Sequence, residues 1–414
     1  MRCPRLRRLR RPAIALLLAP PMLWALALAA MPTAWLRDRL VDTLRRETGR
    51  PAAVARVRLR PLGGLRIEGL RLGAPEAPWL RVEALSMDLD LARLLAGRVE
   101  PSWLEARGLD LRLRRRADGT IELGDLLARP EGDETSSGTA GEAAPCPGPT
   151  LLAFRLADSR VRVIDEPGGT AVDLADLRGV GTWRRSRVTF ERLEAASGGG
   201  RVELAGHVDR SGGWPTFEGQ LRAEGVAPGG RAGALRFLAP LLEGVDSTGA
   251  SLDLDVYLRG GGPDPSASLV GRGVIGLGPL DLGDSPAVAT LGRLLGIPPK
   301  AGRGSIRGHF QVQSGRVHSD DLTIRAGRLP VTLAGSADFA GRLDYRVRTD
   351  AVLAPRAAGG RPLPVDLDDL VELRLVGTVA HPVLTADGVP LDGDAGRREQ
   401  LIRIGRRARD RVFR

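Results

Sequence analysis

The chain has 414 residues, of which 43% are hydrophobic and only 4% aromatic, so its core must be built mainly from aliphatic side chains. The net charge of +11 would suit a nucleic-acid partner, but the surplus arginines lie at the two ends and acidic residues alternate with arginine in between, which argues against one. The two cysteines, Cys3 and Cys146, argue against a disulfide framework and supply no zinc-ligand spacing.

The N-terminus combines a basic leader with an apolar stretch. Several arginines precede residues 12–36, which carry no charge and are long enough to cross about 30 Å of hydrocarbon. We therefore expect residues 1–36 to be a leader and a single transmembrane helix, with the arginines on the cytoplasmic side. A cleaved signal peptide is the alternative, because small residues at 25–29 resemble a cleavage site.

A second helical segment follows the apolar stretch directly. Leu36, Leu40, Val41 and Leu44 recur at the spacing of one helix face. Residues 37–50 are therefore predicted to form a juxtamembrane helix, which ends before Pro51.

From residue 51 onward, the hydrophobic period changes from that of a helix to that of a strand. Residues 51–128 form a first β region, with strands expected near 80–91, 99–106, 109–115 and 120–122. Residues 129–149 are poor in apolar side chains and rich in Gly, Ser, Glu and Pro, which predicts a disordered linker.

Strands resume in residues 150–394, where apolar and charged side chains alternate regularly. Only residues 230–243 and 285–297 have a helical pattern, so helices are too few to cover the apolar face of such a sheet. The basic segment 395–414 is amphipathic if helical, and it either contacts an anionic membrane surface or is a solvated terminus. The predicted fold is mainly β: a long antiparallel sheet with an apolar face, two short helices and a basic C-terminal helix.

Three stretches of this chain resemble the AsmA family of membrane-anchored periplasmic proteins. The first contains Leu94-Leu95-Ala96-Gly97, the turn Asp118-Gly119 and the pair Leu126-Leu127. The second is the strand pattern at 304–348 with its polar "DDL" segment, and the third is the closing strand with Gly377, Thr378 and Pro382. The chain is compact for that family, and its linker separates the two ends.

The resemblance implies a structure, a location and a role. It implies an elongated, U-shaped, twisted sheet enclosing a hydrophobic β-groove, as in bridge-like lipid transfer proteins. It also implies that the inner membrane holds the anchor and that the bulk of the chain is periplasmic. The expected ligands are phospholipid acyl chains, and the expected role is phospholipid transfer in support of the outer membrane. A non-transporting scaffold that binds periplasmic or outer-membrane proteins is the alternative.

The candidate groove residues are the apolar side chains that share one face of the predicted strands. An apolar face without enough helix to cover it needs a ligand, a partner or closure of the sheet on itself. The candidates are Leu109, Leu111, Leu113, Leu252, Leu254, Val256, Leu258, Phe310, Val312, Leu322, Ile324, Val331 and Leu333.

The sequence evidence for a polar site with chemical activity is weaker than the evidence for an apolar face. The spacing of His309, His318, Asp320 and Asp321 does not match a metal site. We therefore expect His309 to lie on the solvent-exposed face of its strand, which we call the wet face, and the other three to lie in a solvated turn. The Gly-x-Gly-x-x-Gly spacing at 271–276 has no βαβ context and predicts a strand bend rather than a dinucleotide site. We expect no enzyme activity, no cofactor and no metal.

Overall fold

A computed structural model of the chain shows that it is mainly β, with one large, mostly antiparallel sheet. Contacts divide the chain into two compact units, which are described in turn. The residues described are 33–60, 64–89, 101–115, 151–165, 170–212, 214–228, 247–262, 265–281, 303–326, 329–349, 352–353, 365–366, 371–391 and 406.

Unit 1 begins with helix α1 (Thr33–Thr48), which coincides with most of the predicted juxtamembrane helix. Gly49 ends the helix in the left-handed region, at a φ of 63°, and its N–H donates to the carbonyl of Arg45. The helix face predicted from the spacing of leucine and valine packs against the core of unit 1 through Leu36, Leu40, Val41 and Leu44. The segment next to the expected anchor is therefore part of the folded unit.

The sheet of unit 1 is an antiparallel ladder. β3 pairs with β1, β2 and β4, and β4 pairs with β5. The buried core lies on one face of these strands and includes Val57, Ile67 and Val82. The strand bounds are β1 (Ala52–Ala53), β2 (Arg56–Arg60), β3 (Gly64–Gly73), β4 (Pro78–Leu89) and β5 (Pro101–Arg115).

β5 differs from the two strands that the sequence predicts for the same residues. The structure has one continuous strand, and Gly108 lies within it at a φ of 63°. A Cβ atom at Gly108 would lie 2.5 Å from the Glu83 side chain, so glycine permits both the backbone angle and the close approach. The glycine therefore bends the strand where the sequence pattern predicts a break.

Strands β6 (Leu152–Asp165) and β7 (Thr170–Arg184) contribute residues to both units, and unit 2 holds the elements that follow. These are β8 (Arg187–Ser197), β9 (Gly200–Asp209), β10 (Thr216–Val226), β11 (Ser251–Gly261), α2 (Pro265–Ser268), β12 (Val270–Asp281), β13 (Arg303–Gln313), β14 (Arg316–Ala326), β15 (Leu329–Asp338), β16 (Arg342–Thr349), β17 (Val352–Leu353), β18 (Val365–Asp366), β19 (Leu373–Thr378), β20 (Pro382–Ala386) and β21 (Val389–Pro390).

The strands of unit 2 form an antiparallel meander. From β8 to β16, each strand pairs with the next one along the chain. β19 then pairs with β16, and β20 and β21 follow it, while β17 and β18 form a small separate ladder. Sequential pairing places successive apolar rows side by side.

Alternation along each strand decides which side chains are buried. On β11, Leu252, Leu254 and Val256 are buried, whereas Asp253 and Arg259 point to the opposite, exposed face. The same alternation on the later strands produces one continuous apolar core that reaches β20. The prediction of a strand sheet with one apolar and one wet face is confirmed for these strands.

Glycine accommodates the largest side chain of this core. Tyr345 on β16 lies directly opposite Gly335 on β15 and is 2% exposed. Gly335 has a φ of 153°, and a Cβ atom there would lie 2.1 Å from the carbonyl oxygen of Asp344. Any side chain at position 335 would therefore force the two strands apart.

Several predicted segments lie outside the described residues. These are most of the expected anchor at 1–36, the linker at 129–149, the helical patterns at 230–243 and 285–297, and nearly all of the tail at 395–414. Within the described ranges, no helix is both long enough and apolar enough to span a membrane.

Gly335→Ala is expected to destabilise unit 2 because the substitution adds a strained backbone and a clash with β16. The expected loss in the free energy of unfolding is about 2 to 3 kcal/mol, measured by urea denaturation followed by circular dichroism. Gly276→Ala is the matched control, because a Cβ atom at Gly276 meets nothing closer than 3.8 Å. Equal stability of the two variants would contradict this role of Gly335.

Candidate functional site

Apolar side chains of unit 2 form rows that cross the sheet from strand to strand. Leu193 on β8 lies opposite Leu204 on β9, which lies opposite Leu221 on β10, which in turn lies opposite Val256 on β11. Directly opposed residues point to the same face of a sheet. The apolar face therefore continues without interruption from β8 into the core.

The structure separates the predicted groove residues into two groups. Leu109 packs against the core of unit 1, and Leu111 and Leu113 on the same strand are half-buried. Leu258 is partly buried against the core of unit 2. The remaining nine belong to that core: Leu252, Leu254, Val256, Phe310, Val312, Leu322, Ile324, Val331 and Leu333.

Exposure of the apolar face changes between β10 and β11. On the later strands the apolar side chains are closed off, and Val256, Val312 and Leu333 are 1%, 1% and 0% exposed. On β8, β9 and β10 the same face is only partly closed: Leu204 is 37% exposed, and its larger apolar neighbours are half-buried. We call its six larger accessible side chains the open apolar patch: Val188, Phe190, Leu193, Leu204, Val208 and Phe217.

An exposed tryptophan lies next to one end of the open apolar patch. Trp214 is 58% exposed and belongs to the connection between β9 and β10. The pair Asp209 and Thr216 closes the ladder at this end, one residue beyond Val208 and Phe217. An indole with an apolar body and a polar N–H suits the boundary between an apolar surface and water.

Charged side chains cover the opposite face of the same three strands. Arg187 on β8 forms an ion pair with Asp209 on β9, at an N–O distance of 2.7 Å. Arg192 and Glu203 pair across the same two strands at 3.2 Å. Exposed pairs of this kind contribute at most about 1 kcal/mol each. Their main effect is to keep this face wet, so the two faces of the sheet have opposite character.

The wet face of β10–β14 contains a depression of about 610 Å³. Its floor includes Val274, which is 44% exposed, and Gly276, which has no side chain. Its walls are charged, with Arg222 and Asp253 on one side and Arg307 on the other. The absence of a side chain at 276 opens the space between the charged walls.

Two aspartates support irregularities in the sheet at the walls of this depression. The register of β10 against β11 shifts between Ala223 and Val226, and there the N–H of Gly225 donates to Asp253 Oδ1 at 2.9 Å. The register of β13 against β14 also shifts, and there the N–H of His309 donates to Asp321 Oδ1 at 2.8 Å. Each carboxylate thus accepts a hydrogen bond from a backbone donor beside a register shift.

Asp321 also contacts the ring of His309. Its Oδ2 lies 2.6 Å from Nδ1, and the two side chains are 50% and 73% exposed. Partial burial raises the pKa of Asp321, but the hydrogen bonds from the amide and ring of His309 outweigh it and lower the pKa overall. The predicted wet-face position of His309 is confirmed, but its contact with Asp321 depends on the cross-strand register of β13 and β14, which strand alternation does not reveal.

The contact with Asp321 orients the imidazole of His309. Within the described ranges, no three His, Cys, Asp or Glu residues are grouped to hold a metal ion. The glycine motif at 271–276 lies inside β12, which continues as a strand to Asp281. Gly273 lies opposite Phe310, and a Cβ atom there would approach the ring to 2.8 Å. This motif makes room for an apolar side chain in the core.

Comparison with known protein families, with curated proteins and with solved structures found no match to this chain.

Asp321→Asn is expected to reduce the stability of the fold at neutral pH and to make that stability change less between neutral and acidic pH. Because the folded-state pKa lies below the ordinary value of about 3.9, the carboxylate stabilises the fold above that pH. This contribution is lost as the pH falls through the lowered pKa. Urea midpoints at pH 7 and pH 3 measure the effect.

Asp320→Asn provides the control, because Asp320 is the exposed neighbour of Asp321. The difference between the two midpoints should be smaller in Asp321→Asn than in the wild-type chain or the control. An unchanged difference in Asp321→Asn would show that the carboxylate does not stabilise this register shift.

Proposed function

We propose that the chain is an inner-membrane-anchored periplasmic protein that binds phospholipid acyl chains on the apolar face of its sheet, in support of the outer membrane. The observation that carries the proposal is the open apolar patch, which remains accessible although it is continuous with a closed core. A contiguous exposed apolar surface is typical of a binding site. The resemblance to the AsmA family and the apolar N-terminal stretch add the membrane and the compartment.

The dimensions of the patch suit a small number of acyl chains. Three strands lie about 5 Å apart, and rows on one face recur about every 7 Å along a strand. The patch extends over three rows, from Val188 to Leu193 on β8 and from Leu204 to Val208 on β9. It is therefore about 15 Å by 20 Å, comparable with the acyl chains of one phospholipid.

Binding at this face needs no catalytic group. Acyl chains lose contact with water when they cover the patch, and this contributes about 25 cal/mol for each Å² of apolar surface buried. Headgroups can remain in water at the strand ends, near Trp214. Transfer then requires only that bound chains leave as readily as they enter.

The burial of the core guides the choice of position for a test. Leu254 and Val312 are 5% and 1% exposed, so a polar residue there would disrupt packing as well as any binding. Leu204 is accessible and lies on the middle strand of the open apolar patch. Ala205, its neighbour in the chain, is exposed on the opposite face.

Leu204→Glu is expected to reduce bound phospholipid by about tenfold or more, because a carboxylate would have to be desolvated beneath the acyl chains. The full chain is purified from membranes in a non-phospholipid detergent, extracted with organic solvent and assayed for phospholipid per protein. Ala205→Glu adds the same charge on the wet face and should retain the lipid. Thermal melts followed by circular dichroism check that both variants are folded.

Equal phospholipid content in the two variants would contradict binding at the patch. A wild-type chain that carries no phospholipid, and takes up none after delipidation, would overturn the proposed function. The alternative, a non-transporting scaffold that binds proteins, would then be the remaining explanation of the open apolar patch.

A further inference from the structure

A second, smaller depression lies on the wet face of unit 2, next to the one with Val274 and Gly276 on its floor. Its volume is about 270 Å³, and Arg307 and Thr323 line both depressions. Among the described residues, its full lining is Ser305 and Arg307 on β13 and Thr323 and Arg325 on β14. We call these four residues the arginine–hydroxyl quartet.

The register of the two strands alternates arginine and hydroxyl around the quartet. Ser305 lies directly opposite Arg325, and Arg307 lies directly opposite Thr323. Opposed Cβ atoms lie about 5 Å apart, and positions i and i+2 lie about 7 Å apart along a strand. Each arginine therefore has a hydroxyl both across the ladder and along its own strand. The space of about 270 Å³ is large enough to admit a tetrahedral oxyanion.

The two arginines lack the carboxylate partners that some other wet-face arginines have. Arg222 pairs with Asp255 at 3.1 Å, and Arg374 pairs with Asp344 at 2.6 Å. By contrast, Arg307 and Arg325 form no ion pair or hydrogen bond with any other residue that the structure describes. Neither guanidinium is therefore neutralised by a direct ion pair.

The carboxylates nearest to the quartet are already engaged. Asp321, two residues before Thr323, accepts the backbone N–H and contacts the ring of His309. Asp253, across the larger depression, accepts the N–H of Gly225. Both carboxylates support register shifts in the sheet, and neither forms an ion pair with Arg307.

The surrounding positions add a donor and further positive charge. Within the described residues, the Ser305 hydroxyl has no hydrogen-bond partner, so it can donate to a ligand. On β15, Thr332 lies opposite Thr323, and Arg348 on β16 lies opposite Thr332. No acidic side chain occurs in this row from Arg307 to Arg348.

We propose that the arginine–hydroxyl quartet binds an oxyanion of the phosphate class, either free phosphate or a phosphoester. Two guanidinium groups supply planar pairs of N–H donors, which match the oxygens of a phosphoryl group. The Ser305 hydroxyl adds a further donor, whereas the Thr323 hydroxyl already donates to the carbonyl of Asp321. Donors for more than two oxygens suit a tetrahedral anion better than a carboxylate. The site is on the wet face, opposite the apolar face, so it does not rest on the proposed lipid-binding function.

Titration of the full chain with inorganic phosphate, in detergent and in a phosphate-free buffer, tests the proposal by isothermal calorimetry. We expect saturable binding by the wild-type chain and an affinity about tenfold weaker in Arg307→Gln and in Arg325→Gln, because each removes charge-assisted hydrogen bonds. Arg187→Gln is the matched control, since it removes the same charge from an ion-paired arginine elsewhere on the wet face.

No saturable binding of phosphate or phosphodiester by the wild-type chain would overturn the proposal, as would an equal loss in Arg187→Gln, which would indicate a net-charge effect. A parallel titration with glycerophosphoglycerol, a lipid headgroup without acyl chains, distinguishes the two sources of ligand. Quartet-dependent binding of this phosphodiester indicates a lipid headgroup, and quartet-dependent binding of inorganic phosphate alone indicates a free phosphate. Phosphate binding by Leu204→Glu should equal that of the wild-type chain, which separates this site from the open apolar patch.

Discussion

The structure depends on one constraint. In strands that alternate apolar and charged side chains, the apolar face of the sheet needs a cover that shields it from water. In unit 2, that cover is present over β11–β20, where Val256 and Leu333 are almost fully buried. It is incomplete over β8–β10, where Leu204 and its neighbours remain accessible. The same alternation therefore produces a stable core at one end of the apolar face and a candidate binding surface at the other.

The opposite face is organised by charge rather than by packing. Most of its described ion pairs join neighbouring strands or nearby positions, as Arg187 and Asp209 do. Asp253 and Asp321 instead accept hydrogen bonds from backbone donors beside register shifts. Those carboxylates contact the backbone, and neither forms an ion pair with Arg307. The candidate anion site thus follows from the way in which the sheet accommodates its own irregularities.

Strand alternation was enough to predict the mainly β fold and the face of the sheet on which individual side chains lie. Leu252, Leu254 and Val256 share a buried face as expected, and His309 lies on the wet one. Alternation could not predict how far the apolar face would be closed, because closure depends on contacts between distant strands. It also could not predict the contact between His309 and Asp321, because a shift of one register position decides which residues meet. The arginine–hydroxyl quartet was missed for the same reason, since its pattern appears only when β13 and β14 are aligned.

One residue of the open apolar patch is tied to a glycine on the next strand. Phe217 lies opposite Gly260, and a Cβ atom at Gly260 would lie 3.0 Å from the tip of the phenyl ring. The contact involves the side chain of Phe217 rather than the backbone of β10, so a smaller residue at 217 would relieve it. Positions 217 and 260 are therefore sterically coupled. A lineage that places a side chain at 260 is expected to shorten the residue at 217 as well, and the shape of the patch would change with the pair.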